Sequence, residues 1–296
     1  RDIDGDGKVE IAVGAQWNPG ETSDTLKSGS VHYLVRPSDP TKLWTPLELH
    51  HEPTIHRMKW VMVSKDRFQL VVVPLHGRGN KDGNGKGVKI FSYERPKDPK
   101  SKWKLQLIDS TMHLTHNLEV VKDGDHEIIY VAGKEGIRAH AFNGARWLPQ
   151  TDWIVKGSPV GEVRTGGGLS GHTLVTAIQP MHGNSLTIYG ASRSMDQITI
   201  AADLNQGHAL AIGGLEGTAG MLIVAGWREP DKEGKVGIKI YKPADVDYTR
   251  WEASWVDENG MACEDLQLAD LNNDGKLDII ASGRSTHNLK IYWNRY

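Results

Sequence analysis

Residues 2–14 read DIDGDGKVEIAVG and residues 270–283 read DLNNDGKLDIIASG; each is an oxygen-rich loop that runs into a β-branched stretch. Asp and Gly favour a tight turn, and the short apolar run that follows suits a strand. Similar runs recur along the chain: QLVVVPL (69–75), GVKIFSY (87–93), EIIYVAG (127–133), TLVTAI (173–178), LTIYG (186–190), MLIVAGW (221–227), GIKIYK (237–242) and LKIYW (289–293). Gly, Asn or Asp punctuates them, and no long stretch keeps a helical period. The pattern predicts an all-β chain of consecutive antiparallel strands. Its 33 Gly and 10 Trp against 3 Phe suit many short strands joined by tight turns.

The runs also repeat as a larger unit, in which a Trp-containing polar strand precedes a polar residue that opens the next apolar strand. Trp44 leads to His56, Trp103 to His116, Trp153 to Arg164 and Trp251 to Glu264, and GHALAIGG adds an opening at His208. Successive openings lie 60, 48, 44 and 56 residues apart, near the length of a four-stranded propeller blade. The expected fold is a single β-propeller domain over residues 1–296 with four-stranded antiparallel blades. Seven blades are expected, with six as the alternative. The chain starts inside a unit and its last unit ends one strand short, so part of an N-terminal blade is expected to be missing.

Charge and hydropathy exclude several functions. The formal net charge is −2 and the pI about 6.7, so nothing draws the chain to nucleic acid or to an anionic membrane. No apolar run is long enough to span a bilayer. Cys263 is the sole cysteine, which excludes an internal disulfide framework. No signal peptide is visible, but the abrupt start is read as a trimmed export signal, with an extracellular or periplasmic location expected.

The two oxygen-rich loops align residue by residue: Asp2, Asp4, Asp6 and Glu10 with Asp270, Asn272, Asp274 and Asp278. Alternating oxygen ligands around Gly suit a hard cation, so a structural Ca²⁺ or Mg²⁺ is expected, and no organic cofactor. The alternative is a metal-free turn held by Asp and Asn side chains. A third copy, GLEGTAGML (214–222), has lost most of these ligands.

Residues that open successive strands of a propeller can converge on one site despite their separation in sequence. These openings offer His56 with Arg57, His116 with Asn117, Glu162 with Arg164, His208, and Glu264 with Asp265. His76, His182, Arg228 and His287 stand at other strand ends. Imidazoles exchange protons near neutral pH, and arginines hold a carboxylate or a developing enolate. That set suits proton abstraction beside a carbonyl followed by loss of a β-oxygen, a reaction that needs no covalent nucleophile. His56, His116, Arg57 and Arg164 are therefore the catalytic candidates. His76, His182, His208, Arg228, Glu264 and His287 are the substrate-binding candidates. There is no HExxH zinc motif, nucleophile elbow or phosphate-binding Walker loop.

EPTIHRMKW (52–60) followed by QLVVVP, then LTHNLEVV (114–121), YVAGKEGIRAHAFNGARW (130–147) and MHGNSLTIY (181–189), resembles the propeller domain of the aldos-2-ulose dehydratases and their VCBS-repeat relatives. The loops at 2–10 and 270–278 look like the calcium-type loops of FG-GAP repeats. The resemblance implies a seven-bladed propeller and puts the acid/base role in keto-sugar dehydration on His56, with His116 and His182 near the pocket. Propeller lyases that cleave rhamnosyl-glucuronate bonds are more distantly similar. The family's cupin-containing region has no counterpart before Tyr296, and its opening blade is not seen. The expected function is a carbohydrate dehydratase or lyase acting on a keto-sugar or uronate-containing saccharide. A propeller glycoside hydrolase on a rhamnose or uronic-acid linkage is the first alternative, and a non-catalytic binding propeller the second.

Overall fold

The β-branched runs form strands. A computed structural model describes residues 1–39, 41–167, 173–190, 197–214, 221–246 and 248–295. Its strands form two compact units, Arg1–Ser158 and Pro159–Tyr296, each with three antiparallel sheets in which strands pair in chain order.

In the first unit, β1 (Ile11–Ala15), β2 (Ser30–Val35) and β3 (Thr45–His50) form the first sheet. The second sheet holds β4 (Ile55–Ser64), β5 (Arg67–Pro74), β6 (Ile90–Glu94) and β7 (Lys104–Asp109). The third holds β8 (Thr115–Asp123), β9 (His126–Gly133), β10 (Gly136–Phe142) and β11 (Trp147–Lys156). In the second unit, β12 (Glu162–Gly167), β13 (Thr173–Gln179), β14 (Ser185–Gly190) and β15 (Ile198–Ala201) form the fourth sheet. The fifth comprises β16 (Gly207–Gly213), β17 (Leu222–Trp227), β18 (Gly237–Pro243) and β19 (Trp251–Glu258). The sixth comprises β20 (Cys263–Ala269), β21 (Asp278–Gly283) and β22 (Asn288–Tyr292).

The second strand of a blade reads as an unbroken apolar run because both of its faces are buried. On β5, Val71 and Val73 enter one apolar cluster with Ile90, Leu118 and Val131, while Leu70 and Val72 enter another with Tyr33, Phe91 and Trp103. On β17, Ile223, Ala225 and Trp227 pack with Leu186 and Leu210, while Leu222 and Val224 pack with Ala209 and Leu266. The buried Trp147 indole is satisfied inside the core: Nε1 donates to Gln69 Oε1 at 2.8 Å and to Ser92 Oγ at 3.1 Å. The aromatic ring thus packs in the core without stranding its N–H.

The expectation of seven uniform four-stranded blades is corrected: the described strands make six blades, and the first and last have three strands. Residues 2–10 do not start another strand. They close as a turn, with Glu10 N donating to Arg1 O at 2.9 Å, so pairing begins only at β1. The loop at 270–278 joins β20 to β21, which makes β1 the counterpart of β21. Of the degenerate copy at 214–222, residues 215–220 lie outside the described residues.

Candidate active site

Four of the blades open on the same irregularity. On β4, Ile55 pairs with Pro74 and Arg57 with Val73, so His56 is an extra residue. On β8, Thr115 pairs with Gly133 and Leu118 with Val131, which leaves His116 and Asn117 facing a single residue. His208 is the extra residue between Gly207 and Ala209 on β16, as is Glu264 between Cys263 and Asp265 on β20. A β-bulge releases a residue from the ladder and re-aims its side chain, and bulges concentrate beside active sites. Arg164, by contrast, sits in regular register opposite Thr176 on β13.

A bulge also takes a backbone carbonyl out of the ladder, and in both units a bulged histidine satisfies one. In the first unit, His56 Nδ1 lies 2.8 Å from the carbonyl oxygen of His116. In the second, His208 Nδ1 lies 2.6 Å from the carbonyl oxygen of Glu264. A carbonyl oxygen only accepts, so each Nδ1 carries a proton, and the lone pair of the ring's neutral form lies on Nε2. This is the tautomer a general base requires.

His56 is half-buried; its ring centre lies 4.8 Å from that of His116 and 5.1 Å from that of Trp17, the latter in a stacked arrangement. His116 is buried. Trp17 follows Gln16, a left-handed residue with φ of 56°, in the loop after β1. Gln16 O accepts from Gly29 N at 2.8 Å and Asn18 O accepts from Ser28 Oγ at 2.8 Å. Ser28 Oγ in turn accepts from Thr54 N at 3.0 Å, two residues before His56. The Arg57 guanidinium makes no hydrogen bond or ion pair among the described residues. His76 lies beyond the end of β5, where its N–H donates to Thr54 Oγ1 at 2.9 Å. Burial pushes the His76 imidazole below its ordinary pKa, with Asp82 partly opposing.

In the second unit the His182 and His208 rings lie 4.9 Å apart. His182 adopts a left-handed φ of 52°. Burial lowers its pKa, the positive charge of Arg228 adds to this, and Glu162 and Glu264 oppose; the ring is neutral at pH 7. Arg228 is buried, with Nη1 3.3 Å from Glu264 Oε2 and Nη2 donating to Gln206 Oε1 at 2.7 Å. His208 Nε2 lies 3.8 Å from Glu264 Oε1. Arg228 and His287 line a cavity of about 440 Å³ with Gln206, Glu229, Arg284 and Ser285. Arg164 lies 3.7 Å from the buried Glu162 and donates to its neighbour's carbonyl, Val163 O, at 2.7 Å.

The two oxygen-rich loops share an internal closure. Asp2 accepts from Gly5 N at 2.8 Å and Gly7 N at 3.0 Å, and Glu10 accepts from Ile3 N at 2.9 Å. Asp270 accepts from Gly275 N at 2.9 Å, and the buried Asp278 accepts from Leu271 N at 3.1 Å. Asn272 donates to Asp274 Oδ2 at 3.0 Å. In the first loop, ligand oxygens of Asp2, Asp4 and Asp6 come within 4.8 Å of one another, a donor set that fits a hard divalent cation. Glu10 and Asp278 likewise accept a backbone N–H of their own loops.

Two parts of this arrangement have no signal in the sequence. A bulge leaves the apolar pattern of a strand nearly intact, so it cannot be read from periodicity. Trp17 in QWNPG (16–20) looks like any loop tryptophan until β1 and β4 are paired in space.

Residues 28–192 match the family model described as the aldos-2-ulose dehydratase, beta-propeller domain. The chain is 27% identical over 209 residues to the aldos-2-ulose dehydratase of Phanerodontia chrysosporium, an alignment covering 64% of this chain and 22% of that protein. The match therefore spans under a quarter of that relative's length. Among solved structures, a protein from Bacteroides uniformis described as a candidate 6-phosphogluconolactonase superposes with a TM-score of 0.55 at 14% identity, covering 92% of this chain and 75% of that one. A protein of unknown function from Dyadobacter fermentans gives a TM-score of 0.54 at 11% identity, covering 95% and 89%. At such identities these two likenesses show the fold alone.

Proposed function

Because the chain belongs to the aldos-2-ulose dehydratase β-propeller domain family, we propose that it is a carbon–oxygen lyase acting on a keto-sugar or a uronate-containing saccharide. His56 is the acid/base. Its Nε2 takes the proton from the carbon beside the carbonyl, and the C–H electron pair becomes an enolate. Collapse of the enolate breaks the C–O bond at the β-carbon, and the departing oxygen takes the proton back from His56 Nε2 and leaves as water or as a sugar hydroxyl, which restores the neutral imidazole. An arginine side chain, Arg57 in this proposal, steadies the negative charge on the enolate oxygen.

The observation that carries this reading is the bulged His56, whose Nδ1 is committed to the His116 carbonyl so that Nε2 is the basic nitrogen. His182 and His208, both half-buried or buried and the former neutral at pH 7, are further proton-exchanging groups, and Arg228 with Glu264 supplies polar contacts for sugar hydroxyls. The carbohydrate substrate and the enzymatic activity belong to the proposal. So does a structural cation held by Asp2, Asp4 and Asp6, which would neutralise the loop's charge and take no part in the elimination.

The test is incubation of the full chain with an aldos-2-ulose and, separately, with uronate oligosaccharides. Elimination yields a conjugated product that absorbs in the ultraviolet, whereas hydrolysis yields new reducing ends without that absorbance. Absorbance that grows with the parent protein and not with His56→Asn supports the reading. Reducing ends without absorbance, or equal rates in both proteins, overturn it.

A further inference from the structure

Trp17 is a half-exposed indole on a loop that is otherwise pinned. It keeps 50% of its surface accessible, although a tryptophan gains most by burial. Its neighbours in sequence are fixed: Gln16 O is held by Gly29 N and Asn18 O by Ser28 Oγ, each at 2.8 Å. Asn18 Nδ2 reaches Lys27 O at 3.4 Å. Gly29 makes this closeness feasible, because a Cβ there would stand 2.2 Å from Glu52 O at a φ of +73°. Through Ser28 Oγ the loop is tied to Thr54, and so to the start of the strand that carries His56.

The tied loop sets the indole against the imidazole, with ring centres 5.1 Å apart and planes inclined by 27°. An imidazole is smaller than an indole and covers only part of it. What remains is an aromatic surface bordering the proposed base. One face of a pyranose presents a patch of C–H bonds that is apolar and slightly positive, and an aromatic face is electron-rich. A sugar ring is therefore a fitting ligand for an exposed, rigidly held indole, more so than a small ion or a flexible apolar chain.

We propose that Trp17 forms the wall of a pyranose-binding subsite beside His56, on which the C–H face of the sugar packs while its carbonyl-adjacent carbon meets the imidazole. This inference rests on the function proposed above and names a specificity element of the same site. It makes Trp17 a residue that touches substrate, so its removal weakens binding more than it slows chemistry.

The experiment measures binding and turnover separately, on the full chain, with D-arabino-hexos-2-ulose and D-glucuronate as probes. Calorimetry or ligand-observed NMR gives affinity for the parent, Trp17→Ala and Trp17→Phe, and near-ultraviolet circular dichroism checks that each variant is folded. Expected results are about tenfold weaker binding of at least one probe by Trp17→Ala, recovery of most of that loss in Trp17→Phe, and a KM rise larger than the fall in kcat. Affinity in Trp17→Ala equal to the parent overturns the subsite. So does a folded Trp17→Phe as weak as Trp17→Ala, or a parent that binds neither sugar. Failure of the elimination chemistry is read independently: a parent that binds sugar through Trp17 without forming conjugated product leaves the subsite standing and removes the lyase.

Discussion

An imidazole whose Nδ1 is committed to a carbonyl has a structural role and a chemical role that substitution can separate at residue 56. His56→Ala strips the His116 carbonyl of its donor, which is expected to cost about 1–3 kcal/mol of stability. His56→Asn keeps an N–H donor near the position of Nδ1 but has no group that titrates near neutrality. Melting of the Asn variant is expected to stay close to that of the parent, while turnover falls about 10²–10⁴-fold in both variants. Parent-level turnover by the Asn protein removes His56 from acid/base chemistry. His182 carries a second residue-scale expectation. Its folded pKa lies below the ordinary 6.5, so below about pH 6.5 the unfolded chain binds a proton that the folded chain refuses. Protons then favour unfolding, and stability falls as the pH drops through that window. Arg228 and Arg284 lower the pKa alongside burial, and Glu162 and Glu264 raise it. His182→Asn tolerates the left-handed backbone and should flatten the dependence of Tm on pH between about 7 and 5. Some slope should remain from His76, whose pKa burial also lowers. An unchanged slope would mean that His182 does not titrate differently in the two states.

At the scale of strands and loops, much was legible because a blade strand is a short β-branched run with Gly, Asn or Asp at its ends. QLVVVPL, EIIYVAG and MLIVAGW all lie on second strands, and their unbroken apolarity follows from burial on both faces. The polar openings at 56, 116, 208 and 264 fall on the first strands of their sheets. Their bulges were not legible, because one inserted residue shifts hydrogen-bond register without altering composition. Blade number was also hidden, since the sequence shows where strands start and hydrogen bonding decides which belong together. The loop at 16–29 makes the same point: QWNPG reads as a turn, and only its bonds to Gly29 and Ser28 show that the turn holds an indole against His56. Gly29→Ala is the sharpest test of that clamp. A side chain there meets Glu52 O at 2.2 Å and Thr54 N at 3.0 Å in a left-handed conformation, so the loop must move or the strain must be borne. The variant should lose several kcal/mol of stability, roughly 2–4 by analogy with other backbone clashes. The part of its emission that a further Trp17→Phe exchange removes, one of ten tryptophans, should shift toward that of a fully exposed indole. A stable variant with parental emission would show that the clamp does not fix Trp17.

At the scale of the whole molecule, the near-balance of 35 basic and 37 acidic side chains leaves little long-range field, so local charge clusters matter most where like charges crowd. The loop at 2–10 is such a place, with ligand oxygens of Asp2, Asp4 and Asp6 within 4.8 Å of one another and Arg95 3.5 Å from Asp4. Backbone N–H groups already satisfy Asp2 and hold its pKa below the ordinary carboxylate value, so the loop stays anionic at neutral pH. Its counterpart at 270–278 belongs to the other compact unit and repeats the internal closure, with an Asn in place of one carboxylate. A divalent cation that binds only the folded loop stabilises it by mass action, about 2.7 kcal/mol at a hundredfold excess over Kd. Ca²⁺ accepts irregular oxygen cages more readily than Mg²⁺, which holds its water in a stricter octahedron. Melting curves of the full chain in EDTA, CaCl₂ and MgCl₂ should therefore show a rise in Tm with calcium and a smaller one with magnesium. The double variant Asp4→Asn with Asp6→Asn should lose most of the calcium shift, whereas Asp274→Asn should lose only the part owed to the second loop. Equal Tm values in EDTA and calcium would reduce both loops to turns held by their own carboxylate–backbone bonds, and the neutralised double variant would then melt close to the parent, the relief of repulsion offset by loss of the Arg95–Asp4 ion pair.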